Sequence, residues 1–421
     1  MLLDITYGVD FKKIDQMALE IGIASNDEKR IESAITYSLA IASNNGNTCV
    51  EKQNLIKYVQ ALLGTTTSEI ETALINLKAR AKIEIENVEE IEWVYLNSFY
   101  VCERNIAQRI SILNKSKNIK KIKDFDKKFK EEEKHIDITL SEKQKETIKV
   151  VNDNNVCVIT GGPGTGKTTI IKFIIELYKK ENKKVVLCAP TGRAAKRMSE
   201  TTGEDATTIH RLLCLGKVEE SLGMERVDYA IEPIDTDVLI IDEMSMVDVF
   251  LMNYILKGLY MGTKLVLVGD VNQLPSVGPG NVLKDIINSE TVETIELNEI
   301  FRQAAKSQII TNAHKVNNGE NFLEIPKEEL KEKLQDFYFL NEPTQNKMLE
   351  DVISLCTGRL KKFGNYDFFR DIQVLTPTKK GKLGTKELNI ELQNALNPSL
   401  NGKNNKKEIP QKKHGDRVFL E

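Results

Sequence analysis

A chain of 421 residues, 41% hydrophobic and 29% charged, has enough apolar material for two or three domains, each with its own core. Its net charge of −3 does not advertise a nucleic-acid binder and does not exclude one, because a local basic groove suffices to meet phosphates. The six cysteines include no C-x-x-C pair, no apolar run approaches the roughly 18–20 residues of a membrane span, and the N-terminus lacks a signal-peptide pattern. A zinc site, a disulfide framework and a membrane partner are therefore set aside, and a cytoplasmic protein is expected.

Residues 1–113 read as mostly helical. Phe11, Ile14, Ala18 and Ile21 share one helical face behind Asp10, and Ile31, Ile35 and Leu39 mark a second helix. Between about 48 and 96 the rhythm changes. A helix around Gln53–Leu63 and a turn at Gly64 precede a helix over Glu69–Arg80, and Lys82–Glu86 and Ile91–Leu96 alternate like a hairpin. This is the winged-helix pattern. DNA binding and protein packing stay equally open for it, since no arginine cluster marks a recognition helix. Residues 114–135, dense in lysine from Lys115 to Lys130, read as a solvated connector, with phosphate-backbone contact as the minority reading.

Residues 136–305 carry the chemistry. The apolar run Val156–Ile159 leads into Gly161-Gly162-Pro163-Gly164-Thr165-Gly166-Lys167-Thr168-Thr169, and a helical pattern follows. A glycine-rich loop between a buried strand and a helix N-terminus aims backbone N–H groups and the helix dipole at phosphate. Lys167 can reach the β- and γ-phosphates, and the Thr168 hydroxyl can bind Mg²⁺. The bland alternative is a Gly-rich turn without a ligand. Val238–Ile241 reads as another buried parallel strand, ending in Asp242-Glu243. Asp242 is placed to hold Mg²⁺, and Glu243 to polarise an attacking water. Alone such a pair would be a solvated loop. Seventy-odd residues after a phosphate loop it predicts an α/β ATPase with a parallel sheet, using ATP and Mg²⁺.

Further signals come in order along the chain. Ser141 caps a helix whose Gln144 offers an amide to an adenine edge. Then come Ala189-Pro190-Thr191-Gly192-Arg193-Ala194-Ala195, Thr207-Thr208-Ile209-His210-Arg211-Leu212-Leu213, Gly269-Asp270-Val271-Asn272-Gln273-Leu274-Pro275-Ser276-Val277-Gly278-Pro279-Gly280, and Phe301-Arg302-Gln303. Taken together these motifs resemble those of superfamily 1 helicases, most closely the RecD/TraA-type branch that translocates 5′→3′ on single-stranded DNA. The resemblance covers nearly the whole chain. It implies a P-loop (RecA-like) motor domain over 136–305 and a partial second RecA-like domain over 306–421, with Ile372–Leu375 as its clearest strand.

The resemblance also implies residue roles. Gln144 looks like an adenine sensor, Gln273 like the link between γ-phosphate and DNA groove, and Arg302 like an arginine finger. Thr191, Arg193 and His210, with Thr376 and Lys379 of the second domain, look like single-strand contacts; a core histidine is the competing account of His210. Residues 216–233 are expected to form a hairpin pin or a plain surface excursion. The implied substrate is single-stranded DNA or DNA with a 5′ overhang, used in repair or recombination, with a recombination or single-strand-binding protein as partner. Two later family motifs have no match after Thr376, so the chain is expected to be an internal piece with weak or absent unwinding. A nucleotide-gated binding module and a P-loop ATPase that remodels protein are the alternatives.

Overall fold

The computed structural model describes residues 11–116, 120–136, 140–215, 231–301, 306–321 and 336–396. They belong to two compact units, Met1–Leu334 and Gln335–Glu421. Residues 216–230, most of the hairpin expected over 216–233, and the arginine at 302 lie outside the described residues.

The first unit opens with a helical hairpin, α1 (Phe11–Glu20) and α2 (Glu28–Asn44). Arg30 locks its turn. The buried guanidinium binds both oxygens of Asp15, at 2.6 and 2.9 Å, and also donates to the Ser25 carbonyl. Asp27 caps α2 by accepting from the Lys29 and Arg30 amides. Next come β1 (Cys49–Glu51), α3 (Lys52–Leu63), α4 (Thr67–Ala79), β2 (Ile83–Val88) and β3 (Ile91–Leu96). Gly64 ends α3 with φ +70°, a left-handed cap. The strands form an antiparallel sheet in the order β1-β3-β2. The expected helix–helix–ribbon arrangement is present, with one strand more. Three residues of β1 are too few for an alternation to show in sequence.

α5 (Asn97–Lys115) ties this region to the rest of the unit. The lysine-dense stretch after it is not merely a solvated connector, as the sequence suggested. It holds α6 (Phe125–Ile136), where Phe129 lies 4.9 Å from Phe173 and Glu132 is buried against Lys180. Ile122, Phe125 and Phe129 supply an apolar stripe that the lysines masked.

The remaining elements of the first unit wind around a parallel sheet: α7 (Glu142–Asp153), β4 (Val156–Gly161), α8 (Lys167–Lys180), β5 (Val185–Ala189), α9 (Gly192–Thr202), β6 (Ala206–Thr208), α10 (Ile209–Leu212), β7 (Val238–Ile241), α11 (Val249–Gly258), β8 (Lys264–Gly269), α12 (Val282–Asn288), β9 (Glu293–Leu297) and α13 (Gln308–Asn317). The strand order is β6-β5-β7-β8-β4-β9, and every pairing is parallel. Both faces are covered, so the strands read as continuous apolar runs. Along β4, Val156 and Val158 enter one core while Cys157 and Ile159 enter the other.

The first of these cores runs without a break from α2–α5 into α11 and α12. Phe99 of α5 sits 5.2 Å from Phe250 of α11, and the Asn253 amide donates to the Cys102 sulfur at 3.4 Å. Residues 11–116 are therefore packed onto the sheet layer rather than strung ahead of it. At the other end, α13 belongs to the first unit, whereas the sequence put a domain boundary near 306.

The second unit is described through α14 (Gln345–Ser354), a π-turn at Leu355–Arg359, α15 (Leu360–Gly364), α16 (Phe368–Asp371) and α17 (Thr385–Leu396). The strand expected at Ile372–Leu375 does not form among the described residues, and Leu375 is 75% exposed. A short, mostly apolar run becomes a strand only when a neighbour pairs with it.

One buried cation holds the sheet to its first helix. Lys264 opens β8 fully buried, and its Nζ donates to the carbonyls of Val151 at 2.6 Å, Asn152 at 3.3 Å and Asn154. These are the last acceptors of α7, at the negative end of its dipole. Burial pulls the Lys264 ammonium down to about 8. Lys264→Met keeps the volume and orphans the carbonyls, so it should lower unfolding free energy by about 2–4 kcal/mol in urea titration. An unchanged midpoint would show that the α7 end is held otherwise.

Candidate functional site

Parallel strands end along one edge, and the loops that leave that edge hold most of the residues singled out from sequence. β4 delivers the phosphate loop. Gly164 and Gly166 adopt φ +76° and +83°, the left-handed region that glycine enters without strain. α8 then begins with no side chain capping its N-terminus. An uncapped helix start facing a glycine loop is built for an anion.

The loop glycines also answer to protein neighbours. A Cβ on Gly161 would stand 2.7 Å from the Leu297 carbonyl oxygen, at the end of β9. On Gly166 it would collide with the Gln144 amide nitrogen and stand 2.6 Å from the Phe301 ring. On Gly162 it would stand 2.6 Å from the ring of His314. Within the loop, the Thr165 hydroxyl donates to the Gly162 carbonyl at 2.8 Å, and Lys167 Nζ donates to the carbonyls of Gly161 and, at 3.1 Å, Gly162.

Gln144 is buried under this loop. Its Oε1 accepts from the Ser141 amide at 3.0 Å, closing a reciprocal cap at the start of α7. Its amide nitrogen is turned toward Gly166. The expected adenine-facing glutamine is thus a brace between α7 and the loop in this structure. Thr168 stands exposed on the first turn of α8, with Thr169 half-buried behind it.

Three carboxylates act on Lys167 by charge. Burial lowers its basicity, and Asp270, then Asp242 and Glu243, oppose that by charge. Asp242 ends β7, where its Oδ1 accepts from the Glu243 amide at 2.9 Å. Glu243 has φ +56°, a left-handed conformation that is costly for a non-glycine residue and characteristic of functional sites. Burial raises both carboxyls, and Asp242 pushes Glu243 further. The sequence placed Asp242 beside the phosphate loop, but β8 runs between β7 and β4 and brings its own Asp270 to the edge. Asp270 is buried and accepts from the Asn272 amide at 3.0 Å. Its signal lies in the sequence, an Asp directly after a buried strand and three residues before Gln273. Arg197 of α9 was also missed. Its charge acts on Asp242, Glu243 and Lys167 together.

Gln273 comes three residues after Asp270, exposed, with its amide donating to the Asp270 carbonyl at 3.2 Å. Beyond it the loop displays Leu274, 86% exposed, and Val277, 95% exposed. The far end of the loop is fixed. Ser276 Oγ donates to the Gly278 and Gly280 carbonyls, and the Val249 amide donates to Pro279 at 3.1 Å. The Gly280 amide reaches the Gly46 carbonyl of the N-terminal region at 2.9 Å.

The three candidate strand contacts of this unit follow β5 and β6, at the opposite side of the sheet edge. Thr191 caps α9 through an Ala194 amide at 3.2 Å, and Arg193 is exposed on the first turn. His210 is exposed on α10 between buried Ile209 and Leu213, so the core-histidine account does not hold. Thr376, whose hydroxyl donates to the Leu383 carbonyl, and exposed Lys379 belong to the second unit.

Comparison with known proteins agrees with this layout. A family model described as an AAA domain matches residues 139–335, and one for the ATP-dependent RecD2 DNA helicase HHH domain matches residues 1–49. The ATP-dependent RecD2 DNA helicase of Deinococcus radiodurans is 30% identical over 421 residues, 94% of this chain and 53% of that protein. The RecBCD enzyme subunit RecD of Buchnera aphidicola is 39% identical over 163 residues, 34% of this chain and 26% of that one. The ATP-dependent DNA helicase dda of Enterobacteria phage T4 is 33% identical over 41% of this chain and 40% of its own. The chain thus spans about half the length of the Deinococcus radiodurans relative.

Gly166→Ala adds a Cβ at positive φ and against two neighbours. It should weaken binding of a nucleoside triphosphate by about tenfold or more, read with a fluorescent analogue. Unchanged affinity would mean that the loop opens elsewhere to admit the ligand.

Proposed function

We propose that this chain, which belongs to the RecD-like family of superfamily 1 DNA helicases, couples ATP hydrolysis at Gly161–Thr169 to 5′→3′ movement on single-stranded DNA. The observation that carries the reading is the order of the sheet edge. Strand-contact candidates follow β5 and β6, the phosphate loop follows β4, and Asp242, Glu243, Asp270 and Gln273 follow β7 and β8 between them.

The donor set suits ATP with Mg²⁺. The start of α8 has no side-chain cap, the loop backbone carries glycines, and three wholly or partly buried carboxylates act by charge on one lysine. Thr168 and Asp242 would hold the metal, which supplies positive charge against the phosphates when bound. Lys167 neutralises the phosphates, and the loop amides orient them for attack. Glu243 takes the proton of the attacking water. Its carboxyl lies above the ordinary glutamate range, which makes it the better proton acceptor. Arg302 is assigned to the charge on the transferring phosphoryl group, one residue after Phe301, which packs on Gly166.

On the strand side, Thr191, Arg193 and His210 contact the phosphate backbone, with Thr376 and Lys379 as the second unit's counterparts. The substrate is single-stranded DNA or a duplex with a 5′ overhang, and the setting is cytoplasmic DNA repair or recombination. The N-terminal region, packed on α11, is the docking platform for a recombination or single-strand-binding protein.

ATP hydrolysis should rise when single-stranded DNA is added. Glu243→Gln should keep ATP binding and lower turnover by about 10²–10⁴-fold. Turnover at the unaltered rate would remove Glu243 from its role, and hydrolysis indifferent to DNA would remove the strand from the cycle.

A further inference from the structure

The phosphate loop is gripped from behind by one segment. After β9 the chain passes Phe301, whose amide donates to the Gly164 carbonyl at 3.3 Å and whose ring packs on Gly166. It then enters α13, capped by Ser307 through the Ile310 amide and seated by buried Gln308 and Asn312. From α13 it returns to the loop through His314. The imidazole lies across Gly162, where a Cβ would meet Cε1 at 2.6 Å, Nε2 at 3.2 Å and Nδ1 at 3.5 Å. Its Nε2 is 3.4 Å from the Pro163 carbonyl oxygen.

A peptide unit is planar and trans, so fixing its carbonyl aims the following N–H the opposite way. The hydrogen bond to the Pro163 carbonyl therefore sets the direction of the Gly164 N–H. By the same rule, the hydrogen bond from Phe301 to the Gly164 carbonyl sets the Thr165 N–H. The Gly162 carbonyl, held by Thr165 and Lys167, precedes proline and has no amide to aim. Each carbonyl from 162 to 164 thus has a donor. Of the two donors that aim an amide, only His314 does so through a side chain. A carbonyl can only accept, so the imidazole must carry its proton on Nε2.

We propose that His314 is a positioning residue of the nucleotide site, aligning the Gly164 amide toward the phosphates by holding the Pro163 carbonyl. The inference rests on the reading of this loop as an ATP site. It also accounts for glycine at 162, whose missing side chain is the seat of the ring.

Affinity for a non-hydrolysable ATP analogue, by calorimetry, tests it. His314→Ala should bind the analogue about fivefold more weakly, the effect of one lost neutral hydrogen bond, and His314→Gln, which keeps an N–H donor, should recover most of the loss. A second measurement needs no nucleotide. Gly162→Ala should lower the thermal midpoint of the otherwise unaltered protein, and lower it less in the His314→Ala background, where the ring no longer blocks the added methyl. Equal affinity of the unaltered and His314→Ala proteins, or a Gly162→Ala penalty that ignores residue 314, overturns the role of His314. Absence of analogue binding by the unaltered protein overturns the ATP reading itself.

Discussion

Six parallel strands must deliver all their carboxyl ends to one edge, and every functional feature of the first unit depends on that constraint. The edge is ordered as well as shared. Reading across it, β6 and β5 end in hydroxyl, histidine and arginine groups, β7 and β8 in carboxylates, and β4 in the glycine loop. A change at the phosphate loop meets Asp270 and Gln273 first, then Asp242 and Glu243, before it meets the loop of Thr191 and Arg193. The order of strands, and not their order in the chain, makes that sequence of neighbours.

The edge is stiff because its supports come from outside the sheet. Lys264 fastens the start of β8 to the end of α7, and the other end of α7 presents Gln144 to the loop. A single helix thus spans from a buried cation to the phosphate cradle. On the other face, the core shared by α5 and α11 carries the N-terminal region, and the Gly46 carbonyl receives the Gly280 amide. The loop that begins at Gln273 is therefore fixed at its far end, while Leu274 and Val277 stand in solvent. A segment anchored at both ends and exposed in the middle can shift only by rearranging its middle. That is the mechanical property a coupling loop requires.

The motor motifs were legible in the sequence because their signals are local. Val156–Ile159 and Val238–Ile241 are continuous apolar runs, each followed at once by its chemistry, so strand and site are legible together. Gln144 was located through its capping pattern, although its role as a brace under Gly166 was not. What escaped was closeness created by tertiary structure. Asp270 joins Lys167 because β8 lies between β7 and β4, and Arg197 joins the same cluster because α9 packs beside it. His314 and Phe301 reach the loop from a segment well over a hundred residues later, and no spacing rule encodes such a return. Composition misled at α6, where lysines hid an apolar stripe, and at Ile372–Leu375, where a mostly apolar run lacked a strand to pair with. Short strands such as β1 and β6 hold too few residues for a period to appear.

On the proposed function, the sheet edge transmits the state of the nucleotide to the strand through the loop that Gln273 opens. A glutamine can donate to a phosphate and accept from a neighbour at once, so it can register a γ-phosphate without being needed to hold ATP. The direct measurement is the ratio of DNA-stimulated to basal ATP hydrolysis in Gln273→Ala, taken beside its affinity for ATP. Coupling through Gln273 predicts that the ratio falls by about tenfold while affinity stays within about twofold of the unaltered protein. Lost affinity with undiminished stimulation by DNA would contradict it, leaving Gln273 as a ligand-holding residue and the edge without its coupling element.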